Sequence, residues 1–529
     1  MRYTKWLRFA VVAGTLAGWT AACDFVEPTS SNPNSLPDAT IDQLFVASQI
    51  NAWFFNEGDL SRHTSVFFQQ MGGTDRQGTG IERYVLGESD LQSEWGRVYG
   101  SGEGRTGGGL LDLRRGQVIA EDRGSRVYAG ILKVHEAFLI GMAASIWGDI
   151  PYSEAANIAE FPTPVYDQQG DVYAAVEDLL DEAVADLESG ETTGADASLD
   201  YVDMVFGGDA SSWLAVAWTL KARFYMHWVE CDVQGPCAGA PSLPTGAADF
   251  SEAARNAALN GVASAAGDWR SLHSSALKES NLWYQFNLER SGYISGGNIV
   301  FMLDLDDDGE YTEGADDPRL PILFTKGEVC PVGPDTENPF DCDAGEADWV
   351  EKYAGSPPDA GHQFTLDGVL YSDPGPGASQ LDLPGEPTYG HRLVSCSENQ
   401  LILAEAEARL GNDGPAQTAL QAAFACEEAY WAGEGFTIDL DAVYDTGVTG
   451  QALLDLIAEQ KYIALFLNPE IWNDHKRSCT PALTPAGGAS ALPATLYYVQ
   501  VERQVNPNTP ANTTLFALND NDPAACPLP

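Results

Sequence analysis

Long apolar-rich segments of helical period, recurring in pairs, constrain this chain more than any other feature. VYAGILKVHEAFLIGMAASIWG (127–148) is followed by GDVYAAVEDLLDEAVADLE (170–188), and GDASSWLAVAWTLKARFYMHWVE (208–230) by ADFSEAARNAALNGVA (248–263). SENQLILAEAEARLGNDGPAQTALQAAFACEEAYW (397–431) is a hairpin with a GNDGP turn. Near the start, TIDQLFVASQINAWFF carries apolar residues at Ile41, Leu44, Phe45, Ile50 and Trp53, with Asp38 or Thr40 as helix caps. GDLSRHTSVFFQQMGG is its expected antiparallel partner. Helices of about 15 to 20 residues with small residues at their crossings are what tetratricopeptide-like pairs need to stack closely. The expected fold is mainly α: stacked helix pairs with a large irregular α+β insertion that forms the binding face.

Two regions break the pattern. Residues 72–124 are Gly-rich. Residues 266 to about 390 are rich in Pro, Gly, Asp and aromatics, with strand-like pieces such as NIVFMLDLD and EVCPVG. So long an irregular stretch is not a simple loop in a compact domain. It reads as a packed functional subregion laid over the helical scaffold, where binding chemistry tends to sit. The scaffold itself occupies about 39–265 and 396–475, and 39–529 reads as a single domain.

The N-terminus stands apart from the fold. Arg2, Lys5 and Arg8 precede the apolar FAVVAGTLAGWTAA, too short to span a bilayer. TAAC then places small residues directly before Cys23, as in a bacterial lipobox, with Thr20 where Leu is usual; the alternative is an ordinary signal peptide with an incidental cysteine. The expectation is a signal peptide at 1–22, acylation of Cys23, and a Pro/Ser/Asn tether at 23–38. No later segment reads as long and apolar enough to cross a membrane. The protein is expected to be anchored to a membrane, not embedded in it.

Removing the signal peptide leaves 25 basic side chains against 77 acidic ones, a net charge of −52. Such a chain does not bind nucleic acid or anionic lipid by electrostatics. Lysines are scarce, eight against twenty arginines, which fits either a soluble face in a GC-rich genome or adaptation to salt. Beyond Cys23 an even set of eight cysteines in an exported chain reads as disulfides, and no spacing suggests zinc. The expected pairs are Cys231–Cys237, Cys330–Cys342, Cys396–Cys426 across the helical hairpin, and Cys479–Cys526. Catalytic signatures are missing: HEAFL (135–139) has Leu where a zincin needs its second His, and there is no GxSxG elbow, Walker loop or GxGxxG. An enzyme is not expected. A helical-repeat scaffold for protein partners is the third class of reading.

Five short motifs, in order, carry a resemblance. They are WGDIPYSEA (147–155), DASSWLAVAWTLKARFYMH (209–227), DDPRLP (316–321), ENQLILAEAEARLG (398–411) and LIAEQKYIALFLNPEIWNDHKR (456–477). Behind a lipobox, the set resembles the SusD/RagB family of nutrient-binding outer-membrane lipoproteins, over essentially the whole mature chain. The resemblance implies a cell-surface protein that sits as a lid on a SusC-like TonB-dependent barrel. It would capture an oligosaccharide, or a peptide, and pass it to the transporter. The motif residues themselves, Trp147, Tyr152, Arg223 and Trp472 among them, are expected to be scaffold.

The resemblance also implies where ligand binds. Glycan-binding relatives use an aromatic arc with a few polar side chains, drawn from the segment after the second helix and from the large insertion. The corresponding stretches, TDRQGTGIERYVLG and NLWYQFNLERSGYISGGN, offer Arg76, Tyr84, Trp283, Tyr284 and Tyr293, with Asn287 and Arg290 as polar partners. The competing reading makes these rings core of an irregular region. No cofactor is required, but DLDDDGEYTEGADD places Asp304, Asp306 and Asp308 at alternate positions before Gly309, the opening of an EF-hand-like calcium loop. Position twelve is Ala315, so Asp316 or Asp317 would have to replace the usual Glu; the alternative is a solvated acidic turn.

Overall fold

The first helix begins where a capping box starts it. Thr40 Oγ1 accepts from Gln43 N at 3.3 Å, and the Gln43 side chain accepts from Thr40 N at 3.0 Å, satisfying two otherwise orphaned donors. In this computed structural model the described residues are 39–100, 107–230, 243–244, 246–331, 349–358, 363–366, 369–372, 378–512, 514–523 and 526. Cys23 and the Cys231–Cys237 and Cys330–Cys342 pairings lie outside them.

Helices dominate, and the chain is mainly α. We label the longer ones α1 (Ile41–Glu57), α2 (Asp59–Phe67), α3 (Leu110–Arg123), α4 (Arg126–Trp147), α5 (Gln169–Ser189), α6 (Ala210–Met226), α7 (Ala247–Ala258), α8 (Cys396–Arg409), α9 (Asp413–Gly433), α10 (Gln451–Ala464) and α11 (Ile471–Ser478). The most extensive packing is α4 on α5 and α8 on α9, followed by α6 on α7 and α3 on α4. The expected pairs therefore form, with one exception. α1 packs mainly on α3 and only lightly on α2. A single residue, Gly58, joins α1 to α2, and its backbone already lies so close to Phe54 O that a Cβ would sit 2.5 Å from it. A corner that tight does not let α2 fold back along α1.

The Gly-rich stretch 72–124 is also more helical than its composition suggests. It holds Arg76–Glu82, Gln92–Tyr99 and α3, and its glycines end helices: Gly100 and Gly124 take the left-handed conformation directly after Tyr99 and Arg123. NIVFMLDLD, expected as a strand, forms the short helix Ile299–Leu303 instead. Short apolar runs are ambiguous between the two states.

α4 is the centre of the molecule, with nearly every residue buried. It is long and apolar enough to cross a membrane by composition, contrary to the sequence reading, but that window is wholly buried, so the helix is core. It ends at the WGDIPYSEA corner as scaffold. The Trp147 indole N–H donates to Tyr497 O at 3.2 Å, and Tyr152 OH donates to Glu136 at 3.0 Å beneath the Arg114 guanidinium. The three helical motifs that remain form buried ion pairs, while DDPRLP closes one within itself, Arg319 on Asp317. Arg223 on α6 holds Glu398 on α8 through two bonds of 2.6 and 2.7 Å. Lys461 on α10 and Arg477 on α11 converge on Glu405 and Asp474.

The disulfides Cys396–Cys426 and Cys479–Cys526 form as expected, with Cα atoms 5.7 and 5.4 Å apart. The first clamps α8 to α9. The strands are short: β1 (Met71–Gly73), β2 (Trp269–Arg270), β3 (Ile294–Gly296), β4 (Gly327–Pro331), β5 (Val350–Lys352), β6 (Gln363–Leu366), β7 (Val369–Ser372) and β8 (Arg392–Val394). β1 pairs antiparallel with β3 and β2 with β8, and a four-stranded antiparallel sheet runs β5-β4-β7-β6. The first two pairings tie the irregular subregion to the helical scaffold.

Candidate functional site

The β1–β3 pairing brings together the two stretches expected to bind ligand. Its register sets Gly72 opposite Ser295 and Gly73 opposite Ile294. Beyond the last pair, Thr74 N donates to Tyr293 O at 3.0 Å and Thr74 Oγ1 to Gly292 O at 2.7 Å. The glycines of MGGTDRQGTG make this approach possible: a Cβ on Gly78 would lie 1.9 Å from Tyr293 O, and one on Gly73 2.1 Å from Gly78 O.

That clasp puts Arg76 over Tyr293. The guanidinium carbon lies 5.3 Å from the ring centroid and an N–H bonds to the phenol oxygen. Arg76 holds a positive φ of 43°, costly for a side-chain-bearing residue, with Asp75 accepting from its backbone N–H. Its side chain is 72% exposed while Tyr293 is half-buried. The pair is an aromatic face beside a cation, open to solvent. Tyr284 and Asn287, both half-buried, stand on the helix Leu282–Glu289, and Arg290 follows it, pairing with Glu289.

Two expected ligand residues turn inward. Trp283 has no exposed surface; its indole N–H donates to Ser61 Oγ at 3.1 Å, and Ser61 in turn donates to Leu467 O. Tyr84 is also buried, its hydroxyl accepting from Ala486 N at 3.1 Å and its ring lying edge-on to Phe67 and Phe516. Both rings fill core, the competing reading given above. Successive residues of this two-turn helix point about 100° apart, so Trp283 inward and Tyr284 outward is a matter of phase that composition does not reveal.

Sequence reasoning missed Arg62. It lies on α2 with its guanidinium 4.9 Å from the Phe286 ring, which Arg290 also approaches at 5.8 Å. Burial alone would raise the Asp59 carboxyl, but the Arg62 charge and hydrogen bond hold it below the usual carboxylate range. In the mostly polar sequence of α2, DLSRHTSVF, nothing singles this arginine out.

The acidic loop folds differently from the EF-hand expectation. Oxygens of Asp304, Asp306 and Asp316 lie within 4.8 Å of one another. Asp308 is not in this group: it accepts from Glu310 N at 2.7 Å and so closes its own turn. Asp317 is taken by Arg319 and by Tyr444 OH. Asp304 accepts from Asp308 N and Gly309 N, and Asp316 from Leu305 N and Thr312 N, so backbone donors aim both carboxylates. Burial raises the Asp304 carboxyl to about 6.

Residues 33–271 match the family model SusD-like_2, described as starch-binding and associating with the outer membrane. No curated protein matches the chain. Among solved structures, a chitin-binding protein aligns with 20% identity and a TM-score of 0.66, covering 90% of this chain and 99% of that one. A chitin-binding SusD homologue from Flavobacterium johnsoniae aligns at 18% and 0.63, covering 92% and 99%. A SusD/RagB family protein from Bacteroides thetaiotaomicron aligns at 19% and 0.61, covering 89% and 95%. Residues 33–271 are thus similar in sequence to the SusD-like_2 family, and over nine-tenths of the chain the fold is that of SusD-like proteins.

Proposed function

We propose that the protein is a cell-surface lipoprotein, anchored to the outer membrane through Cys23, which captures an oligosaccharide and delivers it to a SusC-like TonB-dependent transporter. The observation that carries ligand capture is the Arg76–Tyr293 pair, an exposed guanidinium on a half-buried ring, held by a glycine clasp between scaffold and insertion. A sugar ring stacks its C–H face on the tyrosine while guanidinium N–H groups bond to hydroxyls. Tyr284, Asn287 and Arg290 extend the face. The family description as starch-binding, and the two chitin-binding proteins that share this fold, favour a carbohydrate over a peptide. Members of this family bind rather than catalyse, in keeping with a face built on one aromatic–cation pair. A calcium ion at Asp304, Asp306 and Asp316 would serve structure, bracing the loop before the DPRLP turn.

The test is an array of α-glucans, chitooligosaccharides, other glycans and peptides, probed with protein lacking residues 1–23. Glycan binding is expected, with Arg76→Ala and Tyr293→Ala each weakening it at least tenfold, about 1.4 kcal/mol. Peptide binding without glycan binding would overturn the substrate class. Undiminished binding by both variants would move the site elsewhere.

A further inference from the structure

A second concave surface shares no residue with the ligand face. A groove of about 570 Å³ runs between the Pro-rich segment after the Trp147 corner and the short helix Gln500–Val505. Trp95 and Tyr99 form its floor, and Ile158, Val501 and Val505 stand on its walls. Ile158 is 81% exposed and Val505 71%, an unfavourable state for aliphatic side chains at roughly 25 cal/mol per Å² of apolar surface.

The fold enforces that exposure. The Asn506 side chain donates to Pro164 O at 2.9 Å and Asn508 to Thr163 O at 2.8 Å, which pins one wall to the other. Gln500 N donates to Glu88 O, and the turn under Ile158 is closed by Phe161 N to Asn157 O at 2.8 Å. Tyr99 OH holds Pro151 O at 2.9 Å. Ile158 and Val505 are thus kept from collapsing onto Trp95. A preformed apolar groove in a soluble face is the mark of an interaction site.

Charge selects the occupant. Glu502 is the one charged side chain lining the groove, with no Lys, Arg or His among the lining residues, and Glu154 and Glu160 belong to the same Pro-rich segment outside the lining. An anionic amphiphile finds no counter-ion among the lining side chains, and an anionic bilayer is repelled by a chain of formal net charge −49. We infer that the groove seats an aliphatic segment of a partner protein, with a lysine or arginine placed to meet Glu502. The identity of that partner as the transporter barrel rests on the function proposed above; the groove chemistry does not.

The experiment co-purifies the full-length lipoprotein with the TonB-dependent barrel expressed alongside it. Ile158→Asp with Val505→Asp, and separately Glu502→Lys, are expected to cut the retained barrel at least tenfold. Arg76→Ala with Tyr293→Ala should retain it fully. The groove variants should keep wild-type melting and glycan response, so that a loss is not misfolding. Full retention by the Ile158/Val505 variant overturns the inference and leaves the transporter reading intact. If wild-type protein retains no barrel, the transporter reading falls, and a fluorescein-labelled leucine–lysine peptide decides on the groove. Binding at least tenfold tighter than a serine–lysine control, and lost in the Ile158/Val505 variant, sustains it; equal binding of the two peptides overturns it.

Discussion

At the residue scale, two aromatics about ten residues apart have opposite roles, and the difference is measurable. Trp283 and Tyr293 were both legible as aromatic candidates, but only Tyr293 faces solvent. Trp283→Ala should lower stability by about 3–5 kcal/mol, through the cavity left and the orphaned Ser61 hydroxyl, whereas Tyr293→Ala should leave melting nearly unchanged. Calorimetry of the two variants checks this, and equal melting losses would return Tyr293 to the core. A second residue-scale effect is invisible in the sequence. Glu94 is buried beside Arg97, 3.4 Å away, with its Oε2 unpartnered. Burial pushes this carboxyl up to about 7, with the Arg97 charge only partly opposing. A carboxyl raised on folding contributes stability that is fully present below its unfolded value near 4.5 and lost as pH rises through 7. Glu94→Gln, which imitates the protonated form, should therefore stabilise the protein at pH 8 by up to about 2 kcal/mol and have little effect at pH 4.5. Denaturant titrations at the two pH values test it; a pH-independent change would mean that the ionised form is not strained.

At the element scale, periodicity located the long helices because each buries a wide stripe, and the motif residues inside them proved to be interhelical ion pairs and ring contacts. The short elements resisted such reading. In Arg76–Glu82 and Ile299–Leu303 fewer than two turns are available to show a period, so their state depends on what they pack against. The acidic loop is intermediate: alternate aspartates pointed to convergence, yet the turn chemistry removed Asp308 and recruited Asp316 from beyond Gly309. Calcium–oxygen distances of 2.3–2.6 Å suit three oxygens lying within 4.8 Å of one another. Millimolar calcium should raise the melting temperature relative to EDTA, by about 1 °C for each kcal/mol of binding linkage in a domain of this size, and Asp316→Asn should abolish the difference while Asp308→Asn preserves it. Identical melting curves with and without the ion would leave a backbone-satisfied acidic turn.

For the whole molecule, the large negative charge is the property most readily tested. With formal net charge −49, self-repulsion opposes the compact state and is screened with a Debye length near 10 Å at 0.1 M salt. Stability should rise as sodium chloride goes from 0.05 to 1 M, and scanning calorimetry across that series checks it; a flat profile would show that the carboxylates are dispersed widely enough not to matter. All but one of the helix pairs, and the disulfide Cys396–Cys426 across the α8–α9 hairpin, could be determined from sequence alone, because they rest on local periodicity and on a fixed spacing along helices of known rise; Cys479–Cys526 followed as the pair left over. Which aromatic faces solvent, the union of Arg76 with Tyr293, and the groove between Ile158 and Val505 were decided only by tertiary structure. These features join segments separated by 217 residues in one case and more than 340 in the other, and the phase of a short element is set by the surface that receives it rather than by its own residues.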